Sequence, residues 1–320
     1  MKKAFLFIGS FFFLLTIHLS AWAGGPTIRM GYLQSDIHQL PAWVALEKGF
    51  YEQERIDVKV EGIFKAGPEE MSAFTAGALD IGYVGEAPAT TAVANNAADV
   101  QVVAQVNTEG SAVVVGKDAG IQKVSDLAGR QIAIPGHSTV QDFLIKKLLA
   151  EAGLPDEEVR IIVIKPPEMI PALRDHQIDA FIAWEPYPAK AATSGVGRTL
   201  ITSGEIWKDH PCCVLVVDSK FLRTRRAEAM GVVRAHVKAT DFIAANFDES
   251  LKIGVKYTGM DEETVALAMK NVKHTYRISV EGEKEYVDFL SRLGYIKVKD
   301  PGAFVNRFLN GELLAETTSR

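Results

Sequence analysis

Leu79-Asp80-Ile81-Gly82-Tyr83-Val84-Gly85-Glu86-Ala87-Pro88 and Ile178-Asp179-Ala180-Phe181-Ile182-Ala183-Trp184-Glu185-Pro186-Tyr187 carry one pattern twice, 99 positions apart. Each is an apolar run that follows an aspartate and closes on a glutamate. The same shift carries Pro68-Glu69 to Pro167-Glu168, Ala73-Phe74 to Ala172-Leu173 and His38 to His137. A Pro-initiated helix followed by a short apolar strand is therefore written twice. Around the first copy the spacing predicts strands over 27–33, 56–62, 80–84 and 100–106, with helices between them over 40–50, from Pro68, and over 87–95. Strands alternating with helices are the mark of an α/β chain with parallel sheets.

A repeat of this length is too long for a solenoid, whose periods run ~20–50 residues. It predicts two lobes of like architecture, each a mostly parallel sheet flanked by helices. After Val217 strand signals give way to helical stretches over 225–247, 250–257, 262–272 and 281–293. Such a tail cannot build a third α/β lobe, so it is expected to pack back on the first. The expected division is residues 24–109 plus 219–320 for a discontinuous first lobe and 110–218 for the second, joined by crossings near 108–111 and 217–221.

Lys2 and Lys3 precede an apolar run over 4–19 and then Ala21-Trp22-Ala23. A positive start, an apolar middle and an A-x-A site read as a secretory signal peptide cleaved after Ala23. Gly9, Ser10, Thr16 and His18 interrupt the run, which falls short of the ~20 residues of a membrane-spanning helix. No cysteine lies near the cleavage point, so the reading is a freely soluble periplasmic protein, not a lipoprotein. Removing the segment loses two lysines and no acid, which takes the formal charge from −5 to −7. Nucleic-acid coating and binding to anionic membranes both need a basic face, and this balance argues against them. The chain's two cysteines, Cys212 and Cys213, are too few for a disulfide scaffold or a four-cysteine zinc site.

In open α/β sheets ligands bind beyond the carboxyl ends of strands, where helix N-termini point at them. The loops at those positions supply the candidate ligand-binding residues Gln34, His38, Gly85, Glu86 and Asn107 from the first lobe. His137, Ser138, Thr139, Trp184, Glu185 and His210 come from the second. Gly136-His137-Ser138-Thr139 opens a helix, so its hydroxyls and free N–H groups suit an anionic oxygen; plain N-capping is the bland alternative. Glu86 and Glu185 read first as carboxylates complementing the helix ends they precede. They read second as partners for a ligand amine, and third as the acid and base of a glycosidase.

His38, His137 and His210 lack the spacing of a metal site, so no metal is expected and the histidines read as polar cleft walls. Trp184 is a core wall or a stacking surface. Cys212 and Cys213 should alternate faces along a strand, one toward the core and one toward cleft or solvent. No G-x-S-x-G elbow, H-E-x-x-H, phosphate-binding loop or dinucleotide fingerprint is present, and no cofactor is expected.

Met30-Gly31-Tyr32-Leu33 through Leu40-Pro41-Ala42-Trp43-Val44-Ala45-Leu46-Glu47-Lys48-Gly49-Phe50-Tyr51 resembles the opening of the nitrate/sulfonate/bicarbonate/taurine group of substrate-binding proteins. Gly77-Ala78-Leu79-Asp80-Ile81-Gly82, Gly85-Glu86-Ala87-Pro88, Val124-Ser125-Asp126-Leu127-Ala128-Gly129 and Trp184-Glu185-Pro186-Tyr187 continue the likeness in order. The resemblance implies a two-lobed periplasmic-binding-protein fold with a ligand cleft between the lobes, which closes on a small anion or zwitterion (an aliphatic sulfonate, taurine or nitrate). It implies delivery by a monomeric receptor to an ABC permease with its ATPase, without enzymatic activity. Asp209-His210-Pro211-Cys212-Cys213 matches none of those ligand patterns. Related pyrimidine-synthesising enzymes of thiamine biosynthesis share the fold, so a binder of a thiamine-pyrimidine-type heteroaromatic precursor is the alternative. A secreted hydrolase using Glu86 and Glu185, and a receptor presenting its ligand to a membrane sensor, are the remaining readings.

Overall fold

The computed structural model describes residues 25–319; the segment read as a secretory signal lies outside the described residues. Eleven strands follow in chain order among those residues. They are β1 (Ile28–Leu33), β2 (Val58–Phe64), β3 (Ile81–Gly85), β4 (Val100–Glu109), β5 (Ser111–Gly116), β6 (Gln131–Ile134), β7 (Arg160–Val163), β8 (Ala180–Trp184), β9 (Gly197–Thr202), β10 (Pro211–Asp218) and β11 (Val272–His274). They form a six-stranded sheet of order β11-β4-β10-β3-β1-β2 and a five-stranded sheet of order β7-β6-β8-β5-β9. Each sheet has a parallel half: β1 runs parallel to β2 and β3, and β6 to β7 and β8. The other half of each is antiparallel, so the sheets are mixed where a mostly parallel arrangement was expected.

The antiparallel halves come from strands that cross between sheets. β5 leaves the first sheet at Glu109 and Gly110, both with positive φ, and lies between β8 and β9. β10 makes the return journey and pairs with β3 and β4. This corrects the expected boundary of the second lobe at 218. The strand Pro211–Asp218 belongs to the first sheet, and the second crossing lies ahead of it, within residues 203–210. A uniformly buried apolar strand carries no mark of which sheet it will join.

The 99-residue echo has a physical basis at its aspartates. Asp80 accepts from the backbone N–H of Arg29 (2.9 Å) and pairs with the Arg29 guanidinium (2.8 Å). Asp179 accepts from the N–H of Gln131 (2.9 Å) and pairs with Arg130 (3.2 Å). Each aspartate thus pins the start of the neighbouring parallel strand. The helices Gly67–Thr75 and Pro166–Arg174 likewise both carry Pro and Glu in their first turns, where a missing N–H costs nothing and a carboxylate meets the helix dipole.

The tail is helical as expected, with Arg226–Ala245 packed on Leu40–Glu47 in the first lobe. The short strand β11 was not foreseen; it adds an edge to the first sheet beside β4. The tail also clasps the second lobe. Lys190 pairs with Asp261 (2.7 Å), the hydroxyls of Thr193 and Thr264 meet at 2.7 Å, and Tyr295 donates to Asp142 (2.8 Å). Phe143 of the second lobe packs on Tyr286 and Phe289 of the tail at ring separations of 4.7 and 4.6 Å. The two lobes therefore stand closed on each other. Among the described residues no helix is long and apolar enough to cross a membrane.

The duplicated clasps make a stability prediction. Asp80→Ala should cost about 1–3 kcal/mol, because it strips a half-buried N–H and a guanidinium of their acceptor. Asp179→Ala should cost less, since that carboxylate is more exposed (32% against 13%) and its pair more screened. Urea unfolding midpoints of the two variants check the order.

Candidate functional site

A small cavity lies between the lobes at the carboxyl ends of β1, β3, β6 and β8, where the strand order places a site. The first lobe lines it with Leu33, Asp36, His38, Gly67, Gly85 and Pro88, together with Cys212 and Cys213 at the start of β10. The second lobe contributes Thr139, Val140, Gln141 and Trp184. Its volume is about 10 Å3, room for one water-sized group. No lysine or arginine lines it.

Its floor is the turn after β1. The Asp36 carboxylate accepts from the N–H of His38 (3.0 Å) and from the Gln39 amide (3.2 Å), closing the 3-10 turn Ile37–Gln39. His38 is fully buried, and its Nε2 lies 2.7 Å from the carbonyl of Gly110 at the lobe crossing. A carbonyl only accepts, so Nε2 carries the proton and Nδ1 faces inward. There it meets Cys212 Sγ at 3.5 Å, Cys213 Sγ at 3.7 Å and Asp36 Oδ1 at 3.5 Å.

Both sulfurs reach this point because the strand is irregular. Opposite β4 the register of β10 slips between Pro211 and Cys213 and again between Cys213 and Val214. A bulge re-aims side chains that a regular strand would alternate. This corrects the expectation that one cysteine would face the cavity and the other the core; both line the cavity, and both are free thiols. The bulge is held by Asn107, whose Oδ1 accepts from the Cys213 N–H (3.1 Å), and by Gln105, whose amide donates to the Cys213 carbonyl (2.9 Å). Tyr286 donates to the Pro211 carbonyl at 2.7 Å.

Burial pulls the His38 imidazole down, but the Asp36 carboxylate and the Cys212 sulfur outweigh it and push it up to about 10. Burial raises the Asp36 carboxyl to about 7 against the opposing pull of His38. Burial opposes ionisation of Cys212 as well, yet the Cys213 thiol and His38 hold it well below its ordinary value. The hydrogen bond to Cys212 and burial raise Cys213.

Of the eleven expected site residues, His38, Gly85, Thr139 and Trp184 line the cavity. The indole N–H of Trp184 is buried with no hydrogen-bond acceptor. Gln34 is exposed and lies off the cavity. His137 is 64% exposed and faces a separate surface groove with Ser138, against Pro68, Ser72 and Asn95. The Ser138 N–H that was expected to meet an anion donates instead to Asp142 (2.8 Å), and the Thr139 hydroxyl caps its own helix. His210 is buried with Nδ1 at 3.0 Å from the Pro211 carbonyl and its ring stacked on Trp207. The three histidines thus do not gather. His38 instead joins two cysteines, a metal-ligand set that the expectation of no metal did not include.

The two glutamates sit apart as well. Glu185 accepts from the Ala189 N–H (3.0 Å) and from Asn271 of the tail (2.7 Å), so it caps the helix Tyr187–Thr193 and ties it to the first lobe. It borders a different groove, with Glu109 and Lys273. Glu86 opens the helix Glu86–Ala94 and accepts from Gln105 (3.2 Å). Its carboxyl faces that of Glu283, which Thr90 also contacts at 2.9 Å. Burial raises both carboxyls, Glu86 to about 7 and Glu283 further, so the pair holds a proton at neutral pH. Asp36 was passed over in the sequence although its place two residues before His38 marks a capped turn. Glu283 and Asn271 lie in a tail that offers no local signal for the site.

Two lobes exchange strands and close on a cavity at their strand ends. The chain belongs to the NMT1-like family, whose profile matches residues 23–253. A protein of Bacillus subtilis (strain 168) named for binding aliphatic sulfonates is 27% identical over 312 residues, covering 93% of this chain and 92% of its own. The periplasmic nitrate-binding protein NrtA from Synechocystis PCC 6803 superposes with a TM-score of 0.80 at 19% identity, covering 92% of this chain and 88% of that one. The alkanesulfonate-binding protein SsuA from Xanthomonas axonopodis pv. citri gives 0.78 at 18% identity, over 90% and 99% of the two chains. At those identities the two structures speak to the fold alone, which is the periplasmic-binding-protein fold expected.

The buried carboxyl pair makes a prediction with a definite sign. Glu86 is raised in the folded state, so the stability tied to its proton is full below about pH 4.5 and is lost as pH rises through about 7. The loss should amount to roughly 3 kcal/mol, at 1.36 kcal/mol per unit. Chemical unfolding between pH 5 and 8 should therefore show falling stability, and Glu86→Gln should flatten the slope.

Proposed function

We propose that this chain is the periplasmic solute-binding component of an ABC import system. In this reading it is exported with cleavage after Ala23, works as a monomer, and delivers a small solute to a permease and its ATPase. The carrying observation is the cavity that both lobes share, closed by first-lobe and second-lobe side chains at strand ends. The relatives named for sulfonate and nitrate binding support the same role. Binding without catalysis is supported by the carboxylates, since Glu86 and Glu185 do not line a common cavity and each is engaged in the frame.

The lining favours a zwitterion such as taurine within the small anion or zwitterion class. The unpaired Trp184 N–H and the second amide hydrogen of Gln141 offer neutral donors to an acidic group, and Asp36 offers a carboxylate to an ammonium. A cavity of about 10 Å3 admits such a solute only as the lobes part and re-close around it.

Titration calorimetry tests this. Taurine should bind about tenfold more tightly than ethanesulfonate or nitrate, the ratio expected for ~1.4 kcal/mol from one ammonium–carboxylate contact. Trp184→Phe should weaken taurine with the fold intact. Binding of sulfate alone, or hydrolytic turnover lost in both Glu86→Gln and Glu185→Gln, would overturn the reading.

A further inference from the structure

The geometry points to a metal site: we propose that His38 Nδ1 and the sulfurs of Cys212 and Cys213 bind one thiophilic d10 ion, Zn(II) or Cu(I). This goes beyond the importer reading and does not rest on it.

The three ligand atoms lie within 4.8 Å of one another, and all three residues are buried. The finer distances fit a metal polyhedron. Zinc bonds of ~2.3 Å to sulfur and ~2.05 Å to nitrogen, at a tetrahedral angle, separate nitrogen from sulfur by roughly 3.6 Å. The observed separations from His38 Nδ1 are 3.5 Å to Cys212 and 3.7 Å to Cys213.

The support around the ligands is also that of a metal site. Metal-ligating histidines donate their second ring N–H to a carbonyl or carboxylate, which fixes the tautomer and aims the ring. His38 does this at 2.7 Å to Gly110. Gly110 permits the approach, since a Cβ there would sit 2.4 Å from His38 Nε2 and its φ is +86°. The bulge that turns both sulfurs inward is itself held by Asn107 and Gln105, both buried.

Charge favours the occupant. Two thiolates neutralise a dication, which removes the main penalty of burying it. Uptake of Zn(II) displaces to solvent the Nδ1 proton of His38 and whatever protons the two sulfurs carry, and changes no oxidation state. Three protein ligands leave a tetrahedral ion one open position toward the cavity. The ion would supply there the positive charge that no lysine or arginine provides.

The test uses the exported chain, reduced and free of oxygen, with Zn(II) as probe and a chromophoric chelator as competitor, and a Cu(I) chelator in a parallel arm. One equivalent should bind, with proton release. Cys212→Ser/Cys213→Ser should weaken uptake by about 100-fold or more, and His38→Gln by about tenfold or more. X-ray absorption on the unsubstituted protein keeps the test independent of variant folding: two sulfur neighbours near ~2.3 Å and a nitrogen near ~2.0 Å are expected. No stoichiometric uptake, a shell of nitrogen and oxygen only, or undiminished binding by the double variant would each overturn the site. None of these readouts involves solute or permease, so failure here leaves taurine binding standing, and the reverse.

Discussion

The contact on which the cavity depends is the 2.7 Å hydrogen bond from His38 Nε2 to the Gly110 carbonyl. It joins the turn after the first strand to the point where the chain leaves one sheet for the other. One bond therefore keeps a proton on Nε2 of the histidine that lines the cavity, aims its Nδ1 at two sulfurs and anchors the turn to the crossing between the lobes. The left-handed backbone at Glu109 and Gly110 makes the crossing, and the missing side chain of Gly110 lets the ring approach.

Around that contact the molecule buries an unusual set of polar groups with most of their partners in place. Asp36 is answered by the His38 N–H and the Gln39 amide, Glu86 by Gln105 and Glu283, and Glu185 by Ala189 and Asn271. Buried polar groups that are satisfied specify one arrangement, because any other leaves a desolvated charge. Two of these partners, Glu283 and Asn271, belong to the helical tail, and Asn271 reaches across to Glu185 of the second lobe. Domain closure is thus a matter of tail contacts as much as of the two crossings.

Much of this was legible in the chain. The 99-residue echo correctly placed two sheets with a Pro-initiated helix before each central strand, and Asp80 and Asp179 repeat one structural device. Of the residues read from the loops at the strand ends, His38, Gly85, Thr139 and Trp184 line the cavity. The errors share a cause. Gln34, His137 and Ser138 sit in those loops but point away, because a loop's place is set by its strand and its side-chain directions by local backbone. The cysteines were assigned to opposite faces on a rule that a bulge suspends.

By itself the sequence determined the alternation of strands and helices, the duplication and the family, since each is carried by residue types at short spacings. Tertiary structure alone decided that β10 returns to the first sheet, that Glu283 and Asn271 reach across from the tail, and that Cys212 and Cys213 turn together toward His38. Those outcomes rest on contacts between residues some 90 to 200 positions apart. Such contacts follow from how buried strands and polar groups satisfy one another in space, and local pattern holds no record of that.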